Sequence, residues 1–197
     1  FDGNYGQFCR ADVETETAWF PVQTTHTTNT SSETVSTIRF PMHPFLGIMD
    51  VTTASNQRPS SIPPADYGGN IDLRNLTVES TLFLPVQIEG AGLYIGNPHF
   101  TQGNGEVSLT ALEASLRATL RVQVVPTAEA KRLFGRTDLP FAISHGTLIP
   151  MGFSSTLDDA LSQSVEHAID MITAMFEMPR QQVYLLLSAA IDFDASR

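Results

Sequence analysis

The chain has 197 residues, 42% of them apolar and 16% charged, a balance that suits a globular protein of one large domain or two small ones and excludes a disordered chain. Its net charge is −10, from 21 acidic against 11 basic side chains with Lys131 as the one lysine, so it lacks the clustered cations that nucleic acid or an anionic membrane surface requires. No apolar run approaches the ~20 residues that span a bilayer. The single cysteine, Cys9, excludes an internal disulfide framework and a Cys-rich metal site, and sets a reducing, cytoplasmic location as the expectation. The opening Phe1-Asp2-Gly3-Asn4 has neither an initiator methionine nor a signal peptide's basic and apolar regions, which suggests a fragment or a processed chain.

Residues 1 to about 36 are rich in Thr, Ser and Asn, with Trp19, Phe20 and Val22 interspersed, and predict short strands around a polar loop over 24–37. Ile38-Arg39-Phe40 begins a more apolar stretch. Residues 56–69 then concentrate Pro59, Pro63, Pro64, Gly68 and Gly69 into a long loop of the kind that often carries function. A β-meander is predicted next, with strands over 80–88, 91–95 and 106–112 and turns at Glu89-Gly90 and Gly103-Asn104-Gly105. Over 116–124, Leu116, Ala118, Leu120, Val122 and Val124 alternate with Arg117, Thr119, Arg121 and Gln123, the period-two signature of a strand with one buried face.

The last third changes character. Apolar residues at 157, 160, 161, 165, 168, 169, 172 and 176 predict an amphipathic helix over Leu157–Glu177, with Thr156 as its N-cap and Asp158 and Asp159 in the first turn. Pro179 opens a second helix through Val183, Leu186 and Leu187. The predicted architecture is therefore mainly β, a sandwich- or barrel-like meander over 1–126, followed by a helical α+β C-terminal portion over 127–197.

Polar side chains converge most densely in Gly96-Asn97-Pro98-His99-Phe100-Thr101-Gln102-Gly103-Asn104-Gly105-Glu106. His99 can ligate a metal or move a proton near neutral pH, and Glu106 can act as a base or a ligand. A Gly-Asn-Gly hairpin beside a histidine is, however, most often only a turn. His26, His43, His145 and His167 read as loop or surface histidines, with His43 and His145 on loops that could approach the site.

Residues 96–106 resemble the acetamidase/formamidase signature, Gly-Asp-x-His, two residues, then Gln-Gly-Asp-Gly-Glu. Gly68-Gly69-Asn70-Ile71-Asp72-Leu73-Arg74, Ser80–Val86, Pro41–Gly47 and Leu187–Ala190 are similar to further segments of that family, in the family's order. The resemblance implies hydrolysis of a small aliphatic amide, such as formamide or acetamide, to a carboxylate and ammonia, assisted by a divalent metal, zinc in the first instance. An amide carbonyl is a poor electrophile, so it must be polarised while water is activated. Carried over by position, Asp72 and His99 bind metal or water and Glu106 is the general base. Asn97 and Asn104 also fall at metal positions. Asn70 and Gln102 would orient the amide or its oxyanion, and Glu113 is a further carboxylate on the following strand. A small amide, a homo-oligomeric assembly, and a second chain supplying an absent N-terminal region are the partners implied.

Two departures from the family pattern stand out. Asn97 and Asn104 occupy positions where the family carries aspartates, and a neutral amide is a weaker ligand than a carboxylate. A diverged inactive relative, substitutions made to trap a ligand, and Asp/Asn ambiguity all fit this departure. The family's N-terminal region also has no counterpart here. The rival to an amidohydrolase is thus a non-catalytic or disabled family member that binds a small ligand or serves as a structural subunit. A third reading, a carbohydrate-binding β-sandwich, would need an exposed aromatic platform built on Trp19 or Tyr67.

Overall fold

A computed structural model of the chain describes residues 10–23 and 35–196. His26 and the polar run over 24–34 lie outside the described residues. Strands β1 (Arg10–Asp12), β2 (Thr17–Gln23) and β3 (Val35–Pro41) form an antiparallel sheet in that order. A four-stranded antiparallel sheet follows, ordered β5-β4-β7-β8 from β4 (Phe45–Asp50), β5 (Gly68–Asn70), β7 (Tyr94–Thr101) and β8 (Leu112–Glu113). The third sheet, ordered β10-β9-β6, joins β6 (Thr81–Phe83) to the hairpin of β9 (Phe141–Ser144) and β10 (Thr147–Pro150). Among the described residues no sheet closes into a barrel, and helices α1 (Thr127–Phe134), α2 (Leu157–Phe176) and α3 (Arg180–Ala190) all lie after residue 126. The mainly β architecture with a helical C-terminal portion is as the sequence implies. Among the described residues no helix is long and apolar enough to cross a membrane.

The principal core cluster contains Phe45, Ile71, Leu73, Leu76, Ala142 and Met151, and so draws on both sides of residue 126. Strand β6 likewise pairs with β9 across that position. Phe83 stacks on Phe141 with ring centroids 4.3 Å apart, and Phe134 of α1 tilts against both rings. A second cluster joins Ala168 and Ile169 of α2 to Val183 and Leu187 of α3, where burying each of the larger side chains contributes about 1.5–3 kcal/mol. Thr156 caps α2 by accepting a hydrogen bond from the Asp159 N–H, and Arg180 ties α3 to α2 through Glu166 and Asp170.

The meander is shorter than its pattern predicts. The strand expected over 80–88 ends at Phe83, just before Pro85, which has no N–H to donate to a ladder. The strand expected over 91–95 instead runs Tyr94–Thr101, so the polar motif lies largely on a strand and not on a turn. Over 106–112 the chain makes consecutive turns, with Glu106 and Leu109 at φ 36° and 59° and the Leu109 N–H bonded to the Glu106 carbonyl. The alternating stretch 116–124 joins no ladder among the described residues, and Leu120, Val122 and Val124 are exposed. Alternation describes the face a strand would bury, but a strand exists only where a neighbour supplies its hydrogen bonds.

His167 is a correction of a different kind: it is not a surface residue but fully buried on α2. Its Nδ1–H donates to the Met151 carbonyl at 3.0 Å, tying α2 to the end of β10. Nε2 has no hydrogen-bond partner among the described residues. Desolvation holds its pKa below the ordinary value of 6.5, so the folded chain keeps it neutral. Above that value folded and unfolded chains are both neutral at this position. As pH falls below it, the unfolded chain takes the proton first, and stability declines. The melting temperature is therefore expected to fall between about pH 7 and pH 5. His167→Leu should flatten that slope, and an unchanged slope in the variant would assign the acid sensitivity to other groups.

Candidate metal centre

Sheet register builds the site around His99. In the β4–β7 pairing His99 lies opposite Phe45, and in the β7–β8 pairing it lies opposite Glu113. Directly opposed residues share a face of an antiparallel sheet, so Phe45, His99 and Glu113 point the same way. The Phe45 ring meets the imidazole edge-on at 4.9 Å. The register is the same on either side of Gly47 and Asn97, but this opposed pair makes no bridge, and Asn97 takes φ 50°. Strand β5 pairs with the other edge of β4 and delivers Asp72 just beyond its end, the Asp72 N–H donating to the Gly47 carbonyl at 3.1 Å. Gly68 makes the entry to β5 possible. It sits at φ 94°, and a Cβ there would lie 2.4 Å from the Met49 carbonyl oxygen.

Asp72, His99 and Glu106 are all buried, and one ligating atom from each lies within 4.8 Å of the other two. His99 Nε2 is 3.8 Å from Asp72 Oδ1 and 4.0 Å from Glu113 Oε1. Glu113 is partly exposed at the edge of this cluster. Donor atoms around one four-coordinate cation would stand roughly 3.3 Å apart, so these groups would have to close inward to share one.

Gln102 decides which imidazole nitrogen is available. Its Nε2 donates to the Asp72 carbonyl at 2.8 Å and to the Ser196 carbonyl at 3.0 Å. Two carbonyl acceptors fix the amide's orientation and turn Oε1 toward His99 Nδ1, 2.8 Å away. Oε1 can only accept, so Nδ1 carries the proton and the lone pair of neutral His99 lies on Nε2. This is the arrangement by which a supporting residue readies a histidine as a ligand. With its amide engaged by protein partners, Gln102 stands as the group that orients His99.

Asn97 Oδ1 and His99 Nε2 are buried here and have no hydrogen-bond partner among the described residues. A Cβ placed on Gly47 would lie 2.4 Å from Asp72 Oδ1 and 3.0 Å from Asn97 Oδ1, so this glycine keeps open a space onto which both oxygens face. Asp72, Asn97 and Glu106 all hold left-handed backbone, at φ 48°, 50° and 36°, a cost of about 1–3 kcal/mol for each residue that must be over-determined by its surroundings. The donor set and the open space fit a metal ion that Asp72, His99 and Glu106 could hold, with Asn97 Oδ1 facing the same space.

Other residues singled out in the sequence are not among the three buried donors. Asn104 is exposed on its turn and donates to Asp194 Oδ2 at 3.0 Å. His43 is exposed between β3 and β4, and His145 sits at the tip of the β9–β10 hairpin beside Thr77 Oγ1. Trp19 lies beneath the Arg39 guanidinium, at 5.9 Å. Sequence reasoning missed Gly47 and Ser196 as site residues. The alternation of Phe45 and Gly47 in β4 was a usable signal for the first; nothing local marks the second, which meets the site from the far end of the chain.

The acetamidase/formamidase family profile matches residues 53–194. A formamidase of Methylophilus methylotrophus is 46% identical over 48 residues, covering 24% of this chain and 12% of that protein. An acetamidase of Mycolicibacterium smegmatis is 44% identical over 54 residues, covering 27% and 13%. The crystal structure of an acetamidase from Bacillus halodurans superposes with a TM-score of 0.69 at 25% identity, over 78% of this chain and 49% of that one. An acetamidase from Yersinia enterocolitica shares the fold at 24% identity and a TM-score of 0.62, over 77% and 44%. The chain thus spans about half the length of its solved relatives, and less than a fifth of each of the two sequence relatives is aligned. The profile match covers most of the 197 residues, and the chain belongs to the acetamidase/formamidase family.

Proposed function

We propose that this chain carries the metal centre of an amide hydrolase that converts a small aliphatic amide to a carboxylate and ammonia. The observation that carries this reading is the buried Asp72–His99–Glu106 cluster, with Gln102 turning the His99 lone pair toward it. A bound divalent cation would polarise the amide carbonyl and lower the pKa of water. Glu106 takes the proton from the attacking water and returns it to the departing nitrogen. Asn97 Oδ1, buried and facing the space at Gly47, would accept an N–H of a primary amide, a donor that an ester lacks. The exposed apolar side chains of Leu120, Val122 and Val124 and of Tyr184 and Leu185 on α3 support assembly with another copy or with further chain.

Elemental analysis of the purified protein, run beside ammonia release from formamide and acetamide, tests the reading. About one zinc per chain and zinc-dependent ammonia release are expected. A chain that takes up no zinc, but does so as Asn97→Asp, would be a disabled relative on an intact scaffold. A chain that binds zinc and releases no ammonia from any small amide would lose the hydrolase assignment.

A further inference from the structure

The segment after α3 returns to the metal centre and touches the immediate neighbours of all three cluster residues. The Ser196 carbonyl accepts from Gln102 Nε2 at 3.0 Å and from the Gly105 N–H at 3.1 Å. The Ser196 hydroxyl donates to the Ile71 carbonyl at 3.3 Å. Ile71 precedes Asp72, Gln102 orients His99, and Gly105 precedes Glu106. Two residues earlier, Asp194 Oδ2 accepts from Asn104 Nδ2 at 3.0 Å. One short segment thus bridges the loop after β5 and the turn after β7, which sequence holds about thirty residues apart.

We propose that residues 194–196 form a latch that positions the cluster, with Ser196 as the positioning residue and Asn104–Asp194 as its clasp. The inference rests on the metal-centre reading above and assigns Asn104 a role other than that of a ligand. The clasp needs a donor on one side and an acceptor on the other. A carboxylate in place of the Asn104 amide would set two like charges at hydrogen-bonding distance and push the latch away. Asn104 is therefore matched to Asp194, and the pair should be exchangeable as a unit. Without the latch, Gln102 keeps one of its two carbonyl anchors, so its amide is held less firmly and His99 is less strongly biased toward the Nδ1–H form.

The test uses the full chain and three variants: Asn104→Asp, the double variant Asn104→Asp/Asp194→Asn, and a chain ending at Asp192. Zinc affinity is read by competition with a chromophoric chelator, and the His99 tautomer by nitrogen-15 NMR of the metal-free protein. Asn104→Asp and the shortened chain are expected to lose about tenfold to a hundredfold in zinc affinity, and their His99 should shift from a single Nδ1–H form to a mixture. The double variant should recover both, because the exchange restores one amide donor facing one carboxylate acceptor. Tighter zinc binding by Asn104→Asp would make position 104 a ligand and overturn the proposal, as would an unchanged tautomer in the shortened chain. Failure of the double variant to recover would remove the clasp. If the parent chain binds no zinc, the metal-centre reading fails, while the tautomer measurement still decides whether the latch positions His99.

Discussion

Gly47→Ala is expected to abolish zinc binding at micromolar concentrations while the chain still folds. The added methyl would lie 2.4 Å from Asp72 Oδ1, 3.0 Å from Asn97 Oδ1 and 3.2 Å from the Asn97 carbonyl oxygen. Asp72 cannot yield easily. It is 1% exposed, held in left-handed backbone, and its N–H is bonded to Gly47 itself. Overpacking of this kind costs about 1–3 kcal/mol, and the group displaced is the carboxylate proposed to hold the cation. A loss of roughly a hundredfold or more in affinity should accompany a fall of several degrees in melting temperature. Gly103→Ala is the control, since a Cβ there meets nothing within 4 Å and its backbone is not left-handed. Zinc titration of the two variants gives the answer. If Gly47→Ala binds zinc as the parent does, the cation does not sit beside Asp72.

Glu106→Gln should lower ammonia release by about 10²–10⁴-fold while the metal-free protein still folds. The substitution keeps size and backbone conformation, and removes the group proposed to move the proton. It also removes one of the three side chains proposed to hold the cation, so the variant is expected to hold zinc more weakly. Calorimetry with and without zinc separates weaker zinc binding from a loss of fold stability. A stability loss equal in both states would mean that Glu106 serves the fold and not the chemistry.

These expectations depend on contacts that differ in how far they can be read from the linear chain. The helical third was legible because helix signals are local. Apolar spacing of three and four, Thr156 with Asp158 and Asp159, and Pro179 all act within one or two turns, and α2 and α3 lie where they indicate. Asp72, His99 and Glu106 could be proposed from motif resemblance, because each sits among glycines and asparagines that suit unusual backbone. Strands were another matter. The pattern over 116–124 is cleaner than that of β7, yet β7 has ladder partners on both sides and 116–124 has none among the described residues.

Length, composition, charge and local periodicity thus determined by themselves that the chain is globular and acidic, mainly β with a helical end, and where its polar side chains gather. Tertiary structure alone decided that β4 opens a space at Gly47 between Asp72 and Asn97, that Gln102 selects the His99 nitrogen, and that Ser196 reaches back to both loops. Periodicity and capping are governed by neighbours a few residues away, so sequence carries them directly. Register, burial and long-range hydrogen bonds are set by which surfaces meet, and residues 71 and 196 meet only after the whole chain has folded between them.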